Sequence, residues 1–450
     1  MYSGPNPEVP RLPPELQYHV LDHLYDDQPT LVNCSLTCRA WLPTARTHIF
    51  RVLIVISIGQ YTRAEQMLSS HPHLACYVRE LHIDGTWVVV RRTFPELFAL
   101  VPRLPRLYHL RLQHWLRPKK LNPERELSPP LQQMPALPGV FASVRELTLD
   151  TVYPRVHELV SVLLAFPCLR ALHIRSLEFD TRHSLAVHPS SIEPPPPTME
   201  LDTLTWHQSV DFPVLWLLHG LPRLPLRSLS LAWNNAQTAR LTYREEANTL
   251  HAMIRDVLHR AGPTLEHLTL YGRYPAQELE AAELGLAHCA RLRTLVLMDH
   301  HRFEETPGEE DLVWMGQVVR RLCSSVLESI EVVLTWVGED TVEPGALITA
   351  LAPLDHALVE LAMDRPNLVI ALVIFEWSDE FVASIACGLP RLRASGGCFC
   401  LRSHPEGRYR ANAKYLPHWP IDFVERGDDR IPLLLNVDGP VPPRRERWFP

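Results

Sequence analysis

The chain has 450 residues, of which 46% are hydrophobic and 21% charged, the balance of a folded globular protein and not of a disordered one. Its net charge of −7 argues against a dedicated nucleic-acid binder, which usually carries a basic domain. The length allows two or three domains or one long repeat array.

Proline is abundant at 42 and glycine scarce at 18, so many short elements joined by firm turns are expected. No uncharged run reaches the 18 residues that a membrane helix needs. The longest apolar run, Leu368 to Phe375, fits a buried strand. The N-terminus lacks the basic and apolar regions of a signal peptide. Nine cysteines, an odd number, fit reduced thiols better than a disulfide framework. The cytoplasm or nucleus is the expected compartment.

In chain order, the first predicted elements are helices. Residues 12 to 51 read LPPELQYHVLDHLYDDQPTLVNCSLTCRAWLPTARTHIFR. Pro13 and Pro14 suit a helix's first turn, whose N–H groups have no intrahelical partner to lose. Leu16, Val20 and Leu24 recur every four residues and mark one face. Asp26-Asp27-Gln28-Pro29 ends that helix. Thr30 is the predicted N-cap of a second helix, with Leu31, Cys34 and Cys38 on one stripe. Pro43 opens a third, with Ala45 and Ile49 on one face and Trp41 just before it. Three helices in about forty residues bury too little core to stand alone. Their apolar faces must lean on the rest of the chain or on a partner.

This segment resembles the F-box. The family pattern is Leu-Pro-x-Glu, then aliphatics along the first helix, then Cys-Arg-x-Trp near the third. Leu12-Pro13-Pro14-Glu15-Leu16 and Cys38-Arg39-Ala40-Trp41 match it with the right separation. Thr37 stands where the family more often has Val. The resemblance implies docking to the Skp-type adaptor of a cullin-based ubiquitin ligase. Carried over by position, the adaptor face comprises Leu12, Pro13, Leu16, Leu24, Leu31 and Trp41.

Beyond residue 75 the pattern L-x-x-L-x-L, with aliphatics allowed, recurs nine times. It begins at Val78-Leu81-Ile83, Leu107-Leu110-Leu112 and Val144-Leu147-Leu149, and continues through Leu169, Leu201, Leu226, Leu265 and Leu292 to Leu327-Ile330-Val332. The third anchors are 29, 37, 25, 32, 25, 39, 27 and 35 residues apart, too even for scattered leucines. Leu368 to Val373 is a weaker tenth unit. Helical periodicity fills several gaps, as in Val156 to Leu164, Leu250 to Leu258 and Leu312 to Leu322. Two aliphatics per strand point inward and polar residues line the other face.

The pattern resembles the leucine-rich repeat in an irregular, long form, without the usual Asn after most triplets. An F-box followed by such repeats is similar to large fungal families. The resemblance spans about residues 10 to 405. The implied class is α/β: a three-helix F-box head at 10–51, a connector helix at 52–75, and a repeat domain at 76–405. That domain would be a right-handed solenoid of about nine or ten units, with a parallel sheet on its concave face and helices outside. Residues 406–450 form a C-terminal extension. The Pro-rich stretches 117–139 and 188–198 fall between triplets and read as surface loops, and the Arg-bearing tail 441–450 as a mobile end.

Motifs for catalysis are missing. Gly-Lys never occurs, no G-x-G-x-x-G or G-x-S-x-G is present, and His157-Glu158 lacks a second His at Ser161. Cys34 with Cys38, Cys398 with Cys400, His19 with His23, and His300-His301 read as packing or coincidence in a chain of 23 histidines. No enzyme, cofactor or metal site is predicted. The expected role is that of a ligase subunit whose repeats hold a protein target; the alternative is a binding scaffold without a ligase. Strand positions such as Glu80, His82, His109 and Arg111 make the early concave face charged, and Val296 and Met298 make the later part apolar. Trp87, Trp115, Tyr153, Trp233, Tyr271 and Trp336 follow strands and either plug turns or line a rim. A target is expected across Arg111, Arg175, Trp233 and Tyr271, since Trp, Tyr and Arg dominate interface hot spots.

Overall fold

Aliphatics at every second position give a strand one apolar face, which must be buried. In the computed structural model all nine triplets end in parallel strands. It describes residues 13–25, 27–85, 98–114, 139–150, 159, 162–175, 200–207, 224–233, 254–272, 284–302, 312–337, 344–375, 389, 391–392 and 398–404. The two Pro-rich loops (apart from residue 139), the tail, Leu12, Trp87, Trp115 and Tyr153 lie outside these residues. Two compact units divide the chain, Met1–Leu169 and Arg170–Pro450.

The first unit opens with three helices, α1 (Pro14–Asp22), α2 (Gln28–Thr37) and α3 (Leu42–Ile49). Then come β1 (Val52–Val55), α4 (Ile58–Ser70), β2 (Glu80–Asp84), β3 (His109–Gln113) and β4 (Glu146–Asp150). The four strands pair in sequence order, all parallel. The segment 52–75 is therefore more than a connector helix: a strand precedes α4. Its register places Leu53 beside Leu81 and Val55 beside Ile83. Counting back, Phe50 stands where the other units carry their first aliphatic anchor, so an aliphatic pattern passed over this unit.

The second unit holds β5 (Ala171–Arg175), β6 (Thr203–His207), β7 (Ser228–Trp233), β8 (His267–Gly272) and β9 (Thr294–Arg302). These are followed by α5 (Val313–Arg320), β10 (Ser329–Val337), α6 (Pro344–Asp364), β11 (Val369–Phe375) and β12 (Cys398–His404). Residues 254–261 are also helical. Its eight strands pair in chain order, again all parallel. The weak tenth unit is real as β11, with Ile370 and Leu372 in register with Ile330 and Val332.

All twenty-seven anchors of the nine triplets are buried. The backbone just before most of the strands adds a ladder. The Arg227 carbonyl accepts from the N–H groups of Glu266 and His267, and Glu266 from those of Arg293 and Thr294. Arg293 repeats this with Glu328 and Ser329. Buried or half-buried hydroxyls join units as well: Thr264 donates to the Leu226 carbonyl at 3.0 Å and Ser324 to that of Leu292 at 2.7 Å. These bonds link successive units, most of which lack the Asn expected after their triplets. The ladder positions alternate in charge through Arg170, Asp202, Arg227, Glu266, Arg293 and Glu328. Arg170–Asp202 and Arg293–Glu328 are ion pairs at 3.0 Å. Both are exposed, so each contributes at most about 1 kcal/mol.

One glycine is dictated by this stacking. A Cβ on Gly262, which follows the helix at 254–261, would lie 2.7 Å from the Leu258 carbonyl and 2.9 Å from the His288 backbone. Gly59 in α4 meets nothing closer than 4.0 Å. Gly262→Ala is therefore expected to destabilise by about 1–3 kcal/mol. Gly59→Ala should stabilise by about 0.5–1 kcal/mol. Urea unfolding of the two variants would show midpoints moving in opposite directions.

Candidate functional site

The helical head is built around Leu21, Leu31 and Ala45, one side chain from each helix and all fully buried. On α1 the inward face carries Gln17 and Leu21, with Leu24 half-buried in the turn that follows, while Leu16 and Val20 point out, each about half exposed. Trp41, just before α3, is half-buried, and its indole Nε1 donates to Gln17 Oε1 at 2.7 Å. His48 on α3 meets Asp22 at the end of α1 at 2.8 Å. The N-cap of α2 is Asp27 and not Thr30: Asp27 accepts from the Thr30 N–H at 3.0 Å and from its hydroxyl at 2.7 Å. These bonds, the hydroxyl's first, hold the Asp27 carboxyl below its ordinary pKa.

Of the six residues expected on the adaptor face, Leu16 and Pro13 are exposed. Leu24 and Trp41 are half-buried. Leu31 is a core residue with no exposed surface, because α2 turns that side toward α1 and α3. Leu12 is outside the described residues. Val32 and Leu36, four residues apart on α2, are also exposed, Leu36 at 80%. Their spacing was legible as a helical stripe, but the stripe through Leu31 competed with it, and periodicity alone does not say which stripe faces in.

A second cluster lies on β2 to β4, on the face away from the leucine anchors. Parallel register sets Glu80 beside His109 and His109 beside Glu146, with His82, Arg111 and Thr148 in the next row. Arg51 Nε donates to Glu80 Oε1 at 2.9 Å. Glu80 Oε2 lies 3.6 Å from both His82 Nε2 and His109 Nδ1. The far side of the His109 ring, Nε2, is 2.9 Å from the Thr148 hydroxyl. Burial opposes ionisation of Glu80, but His109, His82 and Arg51 together outweigh it and hold its carboxyl far below the ordinary range. Arg111 is tied by its Nη2 to the buried Asp150 at 3.0 Å.

The four residues expected at the target site are spread over both units. Arg111 belongs to the first unit and the other three to the second. Arg175 is only 6% exposed, so its guanidinium is a buried group and not an open anchor. Tyr271 packs against Val296, Met298, Val333 and Val373, all buried. The later, apolar half of this face is thus already covered within the chain, and the polar half stays more open. Trp233 ends β7, and its side chain is outside the described ones.

Among the described thiols, burial pushes Cys289 up to about 11, so it stays protonated and serves packing. No described helix is long and apolar enough to cross a membrane.

Residues 9–50 match the F-box-like family, which covers the three helices of the head. The chain carries an F-box-like domain. No curated protein matches the chain.

Proposed function

We propose that this protein is the substrate-recruiting subunit of a cullin-type ubiquitin ligase. The head docks a Skp-type adaptor, and through it a cullin; the strand units hold a protein target and form no bonds themselves. The observation that carries this reading is the head's apolar surface: Leu16, Val20, Val32 and Leu36 are exposed within a segment that matches the F-box-like family. A helical unit this small that leaves several large aliphatics in water is shaped for a partner. The strand units, with buried anchors and in-register parallel pairing, support an irregular leucine-rich-repeat solenoid as the platform for the target. Of the expected docking residues, Pro13, Leu16, Leu24 and Trp41 remain on or near this surface in the proposal, with Val32 and Leu36 added; Leu12 is kept by the family pattern alone.

The test is capture of a purified Skp-type adaptor by the full chain. Leu16→Asp combined with Leu36→Asp should weaken capture by 2 kcal/mol or more, roughly 30-fold. Both side chains are exposed, so the thermal midpoint should hold. Unaltered capture by the double variant would remove these residues from the interface. A wild-type chain that captures no adaptor would instead favour a scaffold without a ligase.

A further inference from the structure

We propose that Glu80, His82 and His109 form a binding site for a borderline divalent cation of the zinc class. One ligand atom from each of these residues lies within 4.8 Å of the other two. Glu80 Oε2 is 3.6 Å from His82 Nε2 and 3.6 Å from His109 Nδ1. Three atoms each ~2.0–2.2 Å from one tetrahedral zinc ion stand roughly 3.3–3.5 Å apart. The two edges from Glu80 Oε2 would need shifts of a few tenths of an ångström, and the third, between the two imidazole nitrogens, is no longer than 4.8 Å.

The hydrogen bonding around the triangle is arranged as a metal site requires. At 3.6 Å neither imidazole makes a proper hydrogen bond to Oε2. His82 Nε2 is a buried nitrogen with no hydrogen-bond partner. A buried polar atom left this way is destabilising, and a bound cation would relieve that loss. The other carboxylate oxygen is already occupied: Oε1 accepts from Arg51 Nε at 2.9 Å. Glu80 is thereby oriented to offer Oε2 alone. On His109, Nε2 is 2.9 Å from the Thr148 hydroxyl and 3.7 Å from Glu146 Oε1. In the tautomer whose Nε2–H is donated to the Thr148 hydroxyl, Nδ1 presents a lone pair toward Glu80 Oε2. Two acceptors then face each other, and a cation between them resolves the conflict. A ligating histidine whose second nitrogen is held by a hydroxyl or carboxylate is the usual outer support of a metal centre.

The chemistry selects the ion. Two imidazoles and one carboxylate suit Zn2+ and its transition-metal neighbours, whereas Mg2+ and Ca2+ prefer all-oxygen sets. Three protein ligands leave one position open for water or for an atom of a bound partner. The site came within reach of the sequence only through register: His109 is 29 residues from Glu80 and joins it because β2 and β3 pair Glu80 with His109.

The experiment uses the full chain, stripped with chelator and titrated with Co2+, followed by competition with Zn2+. Wild-type protein should bind one Co2+ whose visible spectrum lacks thiolate charge-transfer bands. His82→Ala and His109→Ala should each lose that equivalent. Thr148→Val should weaken it about 10–100-fold, the usual loss for an outer-shell partner. Identical spectra and stoichiometry in wild type and both histidine variants would overturn the proposal. Should either variant fail to fold, diethylpyrocarbonate labelling of wild-type protein decides: Zn2+ should protect His82 and His109, and equal labelling with and without Zn2+ would also overturn it.

Discussion

Leu31→Ala is expected to abolish capture of a Skp-type adaptor by unfolding the head, not by removing a contact. Leu31 is fully buried on α2, as Leu21 is on α1 and Ala45 on α3, in a head that buries few side chains. Truncating a buried leucine costs about 2–5 kcal/mol. Three short helices hold little stability in reserve, so a loss of that size melts most of the unit. The double variant at Leu16 and Leu36 should instead lose the adaptor while keeping its helices. Far-ultraviolet circular dichroism and hydrogen exchange over residues 13–49 separate the two routes. If Leu31→Ala keeps native exchange protection and still fails to bind, Leu31 acts as a contact residue and not through the stability of the head.

Trp314→Ala should be the most damaging change in the second unit, at about 3–5 kcal/mol. Trp314 on α5 is the largest fully buried side chain described. Its helix packs closely on α6: a Cβ on Gly316 would lie 3.0 Å from the Pro353 carbonyl. Such close backbone approach leaves the surroundings little freedom to collapse into the hole that a missing indole would leave. Met363→Ala on α6 is the control, since Met363 is 68% exposed and its loss should stay within about 0.5 kcal/mol. Urea unfolding of the full chain measures both. Equal midpoints for the two variants would mean that α5 contributes nothing to the stability of this unit.

By itself the sequence determined the strands that carry the nine triplets and the presence of the head. A leucine or isoleucine at every second position has one stable outcome, a strand with that face buried, and all nine triplets behaved so. The helices of the head followed in the same way from proline placement and four-residue spacing. Where a local choice had two solutions, the sequence was silent. Thr30 and Asp27 can each cap α2, and the tertiary path chose Asp27, with Thr30 as its donor. Leu31 and Leu36 lie on different stripes of one helix, and only packing against α1 and α3 decided which was core. Phe50 hid the first strand because an aromatic replaced an aliphatic anchor.

The polar side of the sheet depended on tertiary structure most of all. Alternation told that Glu80, His82 and Arg111 share a face, but neighbours across strands are set by register, which 25 to 40 intervening residues do not encode locally. Register paired Glu80 with His109 and tied Arg111 to Asp150. It also set Tyr271 beside Met298, in an apolar patch that the chain itself covers. Composition names the residues available for binding; burial, which is a property of the whole fold, decides which of them a partner can reach.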